Sequence, residues 1–270
     1  MKRPPRPAPP EAGELVYGLR AALATFAARP EEITSVQVDP STSREADALL
    51  RWAASRELRV SRVTTRELTA RCGTDLHEGL CVTTRPRRWI TPNALSALLR
   101  ADGLAVALDR VRNPYNVGSI LRSAAFFGVD AAILGAQAPH PALAPMATRV
   151  AEGGAEQLSL CRTTDLADTL ARLRAAGARV LGAEAGGDTP HAGLSYEGPS
   201  VLVVGHEREG LSPRVRALCD ARVSIAGAGR VESLNVGVAA GVLLSALVDA
   251  RARALKARGR TAPARSPRGP

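Results

Sequence analysis

The chain has 270 residues, 36 Lys+Arg against 26 Asp+Glu, and a formal net charge of +10. An apolar fraction of 45% can build a core, which excludes a wholly disordered chain, and no run approaches the ~18 apolar residues of a membrane-spanning helix. Met1 to Pro10 is basic and Pro-rich without an apolar stretch of secretory type, and Cys72, Cys81, Cys161 and Cys219 show no CxxC spacing, which argues against zinc or a disulfide framework and for a reducing cytoplasm.

Apolar positions Leu15, Val16, Leu19, Leu23 and Phe26 have helical spacing, so a helix is expected over 14–30, ended by Pro30. Ile33–Val38 alternates like a strand, and Ser43 then caps a helix to about Arg56. Val60–Val63 reads as a strand, Thr65–Cys72 as a short helix and Leu80–Thr84 as a strand. These make a small α/β domain over 13–85, after a disordered basic segment, 1–12. Residues 86–102 read as a linker that ends in a helix, Leu95–Arg100.

From Gly103 the rhythm changes. Strands are expected at 104–108, 131–134, 157–161, 179–183, 200–204 and 222–225, with helices at 117–127, 143–151, 165–176 and 212–219. A last apolar helix runs from about Leu234 to Ala250, too apolar for the surface. Apolar strands alternating with helices indicate a parallel sheet covered on both faces, over 103–250. Residues 251–270 carry seven cations and no acid and read as a disordered basic tail. Residues 1–100 carry net +5 and residues 101–250 net −2, so the positive excess lies in the flanks and points to nucleic acid.

Familiar sites are absent. No GxGxxG follows a strand, and Leu211-Ser212 stands where a phosphate-binding loop needs Lys-Ser/Thr. The four histidines are scattered, with no HExxH pair. What remains are three polar clusters, each at the C-terminal end of an expected strand, where open α/β sheets bind ligands. The first runs from Asp109 through Asn113, Pro114, Asn116 and Gly118 to Arg122. Gly118 allows close backbone approach. Arg122 on an apolar helix either pairs internally with Asp109 or Glu207 or awaits an anionic ligand. The second, Gly205-His206-Glu207-Arg208-Glu209-Gly210, is a glycine-bounded loop before Ser212-Pro213, a helix start. The third runs from Ile225 through a Gly-rich loop to Ser233-Leu234-Asn235, where Ser233 and Asn235 can cap the last helix.

In this order the clusters resemble the three motifs of the SpoU/TrmH family of RNA ribose 2'-O-methyltransferases, in the SPOUT superfamily. Asn116, Gly118 and Arg122 match its Asn-x-Gly-x-x-x-Arg segment, Gly205, Glu207 and Gly210 its Gly-x-Glu-x-x-Gly loop, and Ser233-Leu234-Asn235-Val236 its Ser-Leu-Asn-Val segment. Arg149 to Glu156 resembles a further family segment. Residues 14–84 resemble, more weakly, the ribosomal-protein-like substrate-binding domain that precedes many members, with His77-Glu78-Gly79-Leu80 where His-Gln-Gly-Val is common. His206 and Asn113 depart from the frequent Asn and Asp.

The resemblance implies a parallel-sheet SPOUT domain with a C-terminal trefoil knot, a homodimer through that domain, and no membrane. It implies S-adenosylmethionine held by Gly205, Gly210, Ile225, Ser233, Leu234 and Asn235, with no metal. The substrate class it implies is structured RNA, ribosomal or transfer. Arg122 would act on the substrate, Asn116 would orient Arg122 and the ribose, and Glu207, Ser233 and Asn235 would complete the polar wall. A non-catalytic RNA-binding or ribosome-assembly factor on the same fold, and a nucleotide-dependent doubly wound enzyme, are the competing readings.

Overall fold

The computed structural model describes residues 13–135 and 143–259; the segments 1–12 and 260–270, expected to be disordered, lie outside them. The chain departs at once from the helix expected over 14–30. Glu14–Tyr17 (β1) pairs antiparallel with Leu80–Thr84 (β4), and helix α1 (Leu19–Ala28) begins only after Gly18, whose φ of 90° turns the backbone. Leu15, Val16 and Leu19 imitate a helical stripe because a short strand followed by a helix places apolar residues at mixed spacings.

Ile33–Val38 (β2) and edge strand Arg59–Arg62 (β3) complete a four-stranded sheet, in the order β1-β4-β2-β3. Ser43 caps a 3-10 turn, accepting from Glu45 N at 3.2 Å, and the turn leads into α2 (Asp47–Ser55). Helix α3 (Thr65–Cys72) opens with a reciprocal Thr64–Glu67 capping box. Helices α1 and α2 bury Ala22, Leu49 and Ala53 against Val36, Val38 and Val82. His77 is buried, its Nε2 3.0 Å from Thr69 Oγ1 and its Nδ1 accepting from Gly79 N, so its first role is to pin the turn before β4.

The chain divides into two compact units between Arg88 and Trp89. Most of the expected linker is built into the second unit. Ile90 N donates to Leu160 O at 2.9 Å, Arg162 lies over the Trp89 ring at 5.4 Å, and α4 (Pro92–Leu98) buries Leu95. The second sheet has seven parallel strands: β5 (Leu104–Asp109), β6 (Ala131–Gly135), β7 (Ser159–Thr163), β8 (Arg179–Ala183), β9 (Thr189–Pro190), β10 (Ser200–Val204) and β11 (Ala221–Ser224). Their order is β7-β6-β5-β10-β8-β11-β9. All of β5 and β10 is buried, as a sheet covered on both faces requires. Leu104, Val106 and Leu108 meet α5 (Pro114–Phe126) and α10 (Val236–Ala257) on one face; Ala105 and Ala107 meet α4 and α8 (Leu166–Ala175) on the other. Short helices α6 (Pro145–Val150), α7 (Gly154–Gln157) and α9 (Pro213–Arg216) complete the layers.

Helix α10 continues past Ala250 into the segment expected to be tail. Leu255 is buried, Arg251 reaches Asp130 at 3.6 Å and Arg258 reaches Asp102 at 3.3 Å. Amphipathic spacing thus persists beneath the basic composition. Nor is α10 buried all round, because Val238 stays 54% exposed. No helix among the described residues is long and apolar enough to cross a membrane.

The four cysteines are free thiols in unlike surroundings. Burial pushes Cys161 and Cys219 up to about 11, and a hydrogen bond to Cys72 together with burial raises Cys81 as well. The same hydrogen bond, from Cys81, lowers half-buried Cys72. Thiolate is the reactive form. A thiol reagent at mildly alkaline pH is therefore expected to label Cys72 first, read by peptide mass mapping; first labelling of Cys161 or Cys219 would contradict this.

Candidate functional site

Three loops leave the C-terminal ends of neighbouring strands β10, β8 and β11 and enclose a cleft of about 590 Å³. Gly205–Gly210 supplies one wall, Ala183–Ala185 the second, and Ile225 with Ser233, Leu234 and the start of α10 the third. Of the residues assigned from sequence, Gly205, Glu207, Gly210, Ile225, Ser233 and Leu234 all line it. The wall after β8 is missing from the sequence reading. The strand-end rule could have found it, since Ala183 closes an expected strand, but Ala-Glu-Ala carries no motif.

Loop 205–210 folds back on itself. His206 N donates to Gly210 O at 3.0 Å and Gly210 N to His206 O at 2.9 Å. A Cβ at position 205 would lie 2.4 Å from the Gly210 carbonyl carbon, so only glycine lets the two ends approach. The first cluster clamps this loop from the C-terminal end of β5. Asp109 Oδ2 accepts from Ser212 N at 2.5 Å. Arg110, with φ 61°, ion-pairs with Glu209 and donates to Gly210 O at 3.1 Å. Left-handed backbone at a residue with a Cβ costs roughly 1–2 kcal/mol, which the clamp offsets. Ser212 starts α9, but its side chain makes no capping bond.

One polar residue from each of the three clusters joins a single chain of hydrogen bonds. Asn116, buried in the first turn of α5, donates through Nδ2 to Glu207 Oε1 at 2.5 Å. Asn235 Nδ2 donates to Asn116 Oδ1 at 3.0 Å. Asn235 Oδ1 accepts from Gly237 N at 2.8 Å and Val238 N at 3.3 Å, so Asn235 caps α10 and orients Asn116 at once. Asn235 itself is not on the cleft wall, and Ser233 does not cap. Asn113 caps α5 by accepting from Tyr115 N, and Gly118 lets α6 approach, since a Cβ there would meet Ala147 O at 2.6 Å.

Arg122 is placed apart. It pairs with neither Asp109 nor Glu207 but with Glu152 at 2.9 Å, on an exposed surface (57% and 43% exposed side chains). Six residues beyond Asn116, its side chain leaves α5 on a different face from the hydrogen-bonded chain.

The sequence model described as the SpoU rRNA Methylase family matches residues 103–245, the stretch that carries sheet, cleft and hydrogen-bonded chain. The chain belongs to this family. A second model, described as RNA 2'-O ribose methyltransferase substrate binding, matches residues 15–89. A relative in Mycolicibacterium smegmatis, named as an uncharacterized tRNA/rRNA methyltransferase, is 36% identical over 242 residues, covering 88% of this chain and 77% of that one. A relative of the same description in Escherichia coli O157:H7 is 35% identical over 235 residues, covering 85% and 66%. Among solved structures, the SpoU methyltransferase AviRb from Streptomyces viridochromogenes, in complex with AdoMet, superposes with a TM-score of 0.73 at 26% identity, covering 90% of this chain and 92% of that one. An rRNA methyltransferase from Sinorhizobium meliloti shares the fold, with a TM-score of 0.71 at 22% identity over 91% and 88%. The SpoU family membership makes this chain a tRNA/rRNA methyltransferase by class.

Proposed function

We propose that the chain transfers the methyl group of S-adenosylmethionine to a ribose 2'-hydroxyl of ribosomal or transfer RNA, in the cytoplasm. The observation that carries this reading is the Glu207–Asn116–Asn235 chain, which joins all three clusters beside one cleft. The cleft residues suit the cofactor. Its volume of about 590 Å³ is ordinary for a small-molecule site, Ile225, Leu234 and Leu243 offer an apolar face for the adenine, and the Gly205–Gly210 loop offers backbone groups. Glu207 and Glu232 line the same cleft and set negative charge against a cationic ligand, while Glu184 and Glu209 there are held by Arg216 and Arg110, and Arg208 lines it as well. When bound, the cofactor supplies a methyl group activated by its sulfonium.

The chain's own residues then position and polarise. A ribose hydroxyl is a weak nucleophile, so alignment carries much of the rate. Asn116 fixes the Glu207 carboxylate on the cleft wall, and Ser233 extends the polar wall. Arginine is a poor base, so Arg122 grips the phosphate beside the ribose, and a phosphate oxygen receives the hydroxyl proton. Arg122 can exchange its partner for RNA, since an exposed pair such as Arg122–Glu152 is worth about 0–1 kcal/mol. The test is labelled methyl transfer to total RNA followed by digestion to nucleosides. A 2'-O-methylated nucleoside is expected; label on a base, or none, overturns the reading.

Asn235→Asp separates the two duties of that residue. An oxygen remains to cap Gly237 and Val238, while the amide that donates to Asn116 is lost. Melting temperature and cofactor affinity are expected to hold while kcat falls roughly ten- to a hundredfold. Full turnover would leave Asn235 a cap only.

The reading includes a trefoil knot and a homodimer through the second unit. The dimer is supported by Tyr115 and Phe126 on α5 and Val238 on α10, large apolar side chains that stay exposed on two packed helices, Phe126 at 83%. Light scattering is expected to give the mass of two chains, and Phe126→Glu that of one. A wild-type mass of one chain would reject the dimer.

A further inference from the structure

The N-terminal unit has a cavity of its own, about 500 Å³, lined by Thr34, Ser35, Gln37, Arg59, Ser61 and Arg71. Strand alternation sends Val36 and Val38 into the core beneath α1 and α2, so Ser35 and Gln37 fall on the opposite face. In the register Ser35 lies opposite Arg59 and Gln37 opposite Ser61, a polar row across β2 and the edge strand. Apolar residues here would let the face close into a second core; polar ones leave it open to solvent and solute.

Its charge has one sign. No acidic side chain lines the cavity, and neither Arg59 nor Arg71 joins an ion pair among the described residues. Some arginines of this unit are neutralised, Arg29 by Glu14 and Glu32 and Arg56 by Glu31; others among the described residues, Arg62 and Arg66 included, are unpaired like Arg59 and Arg71, but only these last two line the cavity. Two unpaired guanidiniums at one cavity favour a polyanion. Gln37 Oε1 is buried without a hydrogen-bond partner, although buried polar atoms are nearly always satisfied. A backbone phosphodiester has no hydrogen to give it. An RNA strand has both the phosphates that the arginines suit and donors, from the 2'-hydroxyl or a base amino group, that the amide oxygen lacks.

We infer that this groove is an RNA subsite of the N-terminal unit. Arg59 and Arg71 grip backbone phosphates, and Gln37 Oε1 accepts a hydrogen bond from a ribose hydroxyl or base amine of the same strand. The inference rests on reading the chain as an RNA-modifying enzyme and adds where the first unit holds its substrate.

The test uses the full chain and end-labelled fragments of total bacterial RNA in filter binding across a salt series. The double variant Arg59→Ala/Arg71→Ala is expected to bind about tenfold more weakly, with the slope of log affinity against log salt shallower by about 1.4, the value for two phosphate contacts on single strands. Gln37→Glu, which sets a negative charge in the groove, is expected to weaken binding with the arginines intact. Arg172→Ala/Arg214→Ala, removing two exposed cations of the second unit, should change neither affinity nor slope as much. Wild-type affinity and slope in both groove variants would overturn the subsite, as would inorganic phosphate that competes at RNA-like concentrations. Methyl transfer by the double variant separates the two proposals. Transfer with an unchanged KM for RNA sinks the groove and leaves the enzyme reading standing. RNA affinity lost in the groove variants of a chain that never transfers methyl sinks the enzyme reading and leaves the groove.

Discussion

Arg122→Ala is expected to lower methyl transfer by about 10²–10³-fold while leaving S-adenosylmethionine affinity unchanged, the loss seen when one preorganised electrostatic contact to a reacting group is removed. The separation follows from geometry. Arg122 is not on the cleft wall and touches neither the glycine loop nor the hydrogen-bonded chain; its ion pair is with Glu152 on the surface. Removing it leaves the cleft intact and strips no buried charge of its partner, so stability should shift by well under about 1 kcal/mol. Labelled transfer and calorimetry with the cofactor read the two halves independently. Retained turnover would take Arg122 out of the mechanism, and lost cofactor binding would place it in the cleft. Arg122→Lys keeps the charge but loses the planar fork, and is expected to recover only part of the rate.

Gly205→Ala is expected to act on the opposite half, weakening cofactor binding roughly ten- to a hundredfold through about 1–3 kcal/mol of forced displacement. The added Cβ would sit 2.4 Å from Gly210 C and 2.5 Å from Gly210 O, and backbone cannot swing aside like a flexible side chain. Relief must come from opening the His206–Gly210 pairing, which moves the wall of the cleft. Gly210→Ala is the comparison. It meets nothing within 4 Å and bears only the cost of φ +64°, so its effect should be smaller. Calorimetry and a melting curve on both variants decide. Equal effects would mean that loop flexibility, and not the close approach, sets the affinity.

Much of the second unit is legible from sequence because its central strands, β5 and β10, are almost continuously apolar. Leu104–Leu108 and Ser200–Val204 can satisfy that pattern only inside a two-sided parallel sheet. The first unit is harder. Leu15 and Val16 belong to β1, yet their spacing to Leu19 fits a helix, and only pairing with Leu80–Thr84, some 65 residues on, decides for strand. The tail from Arg251 reads as solvent-exposed by composition, but its cations find Asp130 and Asp102 once the fold brings those acids near, and Leu255 follows into the core.

The amino-acid sequence by itself determines which residue types stand ready at the ends of the strands: the glycines at 205 and 210, the amides at 116 and 235, the carboxylate at 207 and the guanidinium at 122. Those follow from local pattern, and short-range pattern is all that periodicity and turn chemistry read. Only the tertiary structure decides who meets whom. It joins Asn116, Glu207 and Asn235 across 91 and 119 residues of chain, sends Arg122 to Glu152 instead of the two acids that charge alone would suggest, and leaves Arg59 and Arg71 together beside an unsatisfied Gln37. The physical reason is that hydrogen bonds and ion pairs act over a few ångströms, and distance along a folded chain says little about distance in space.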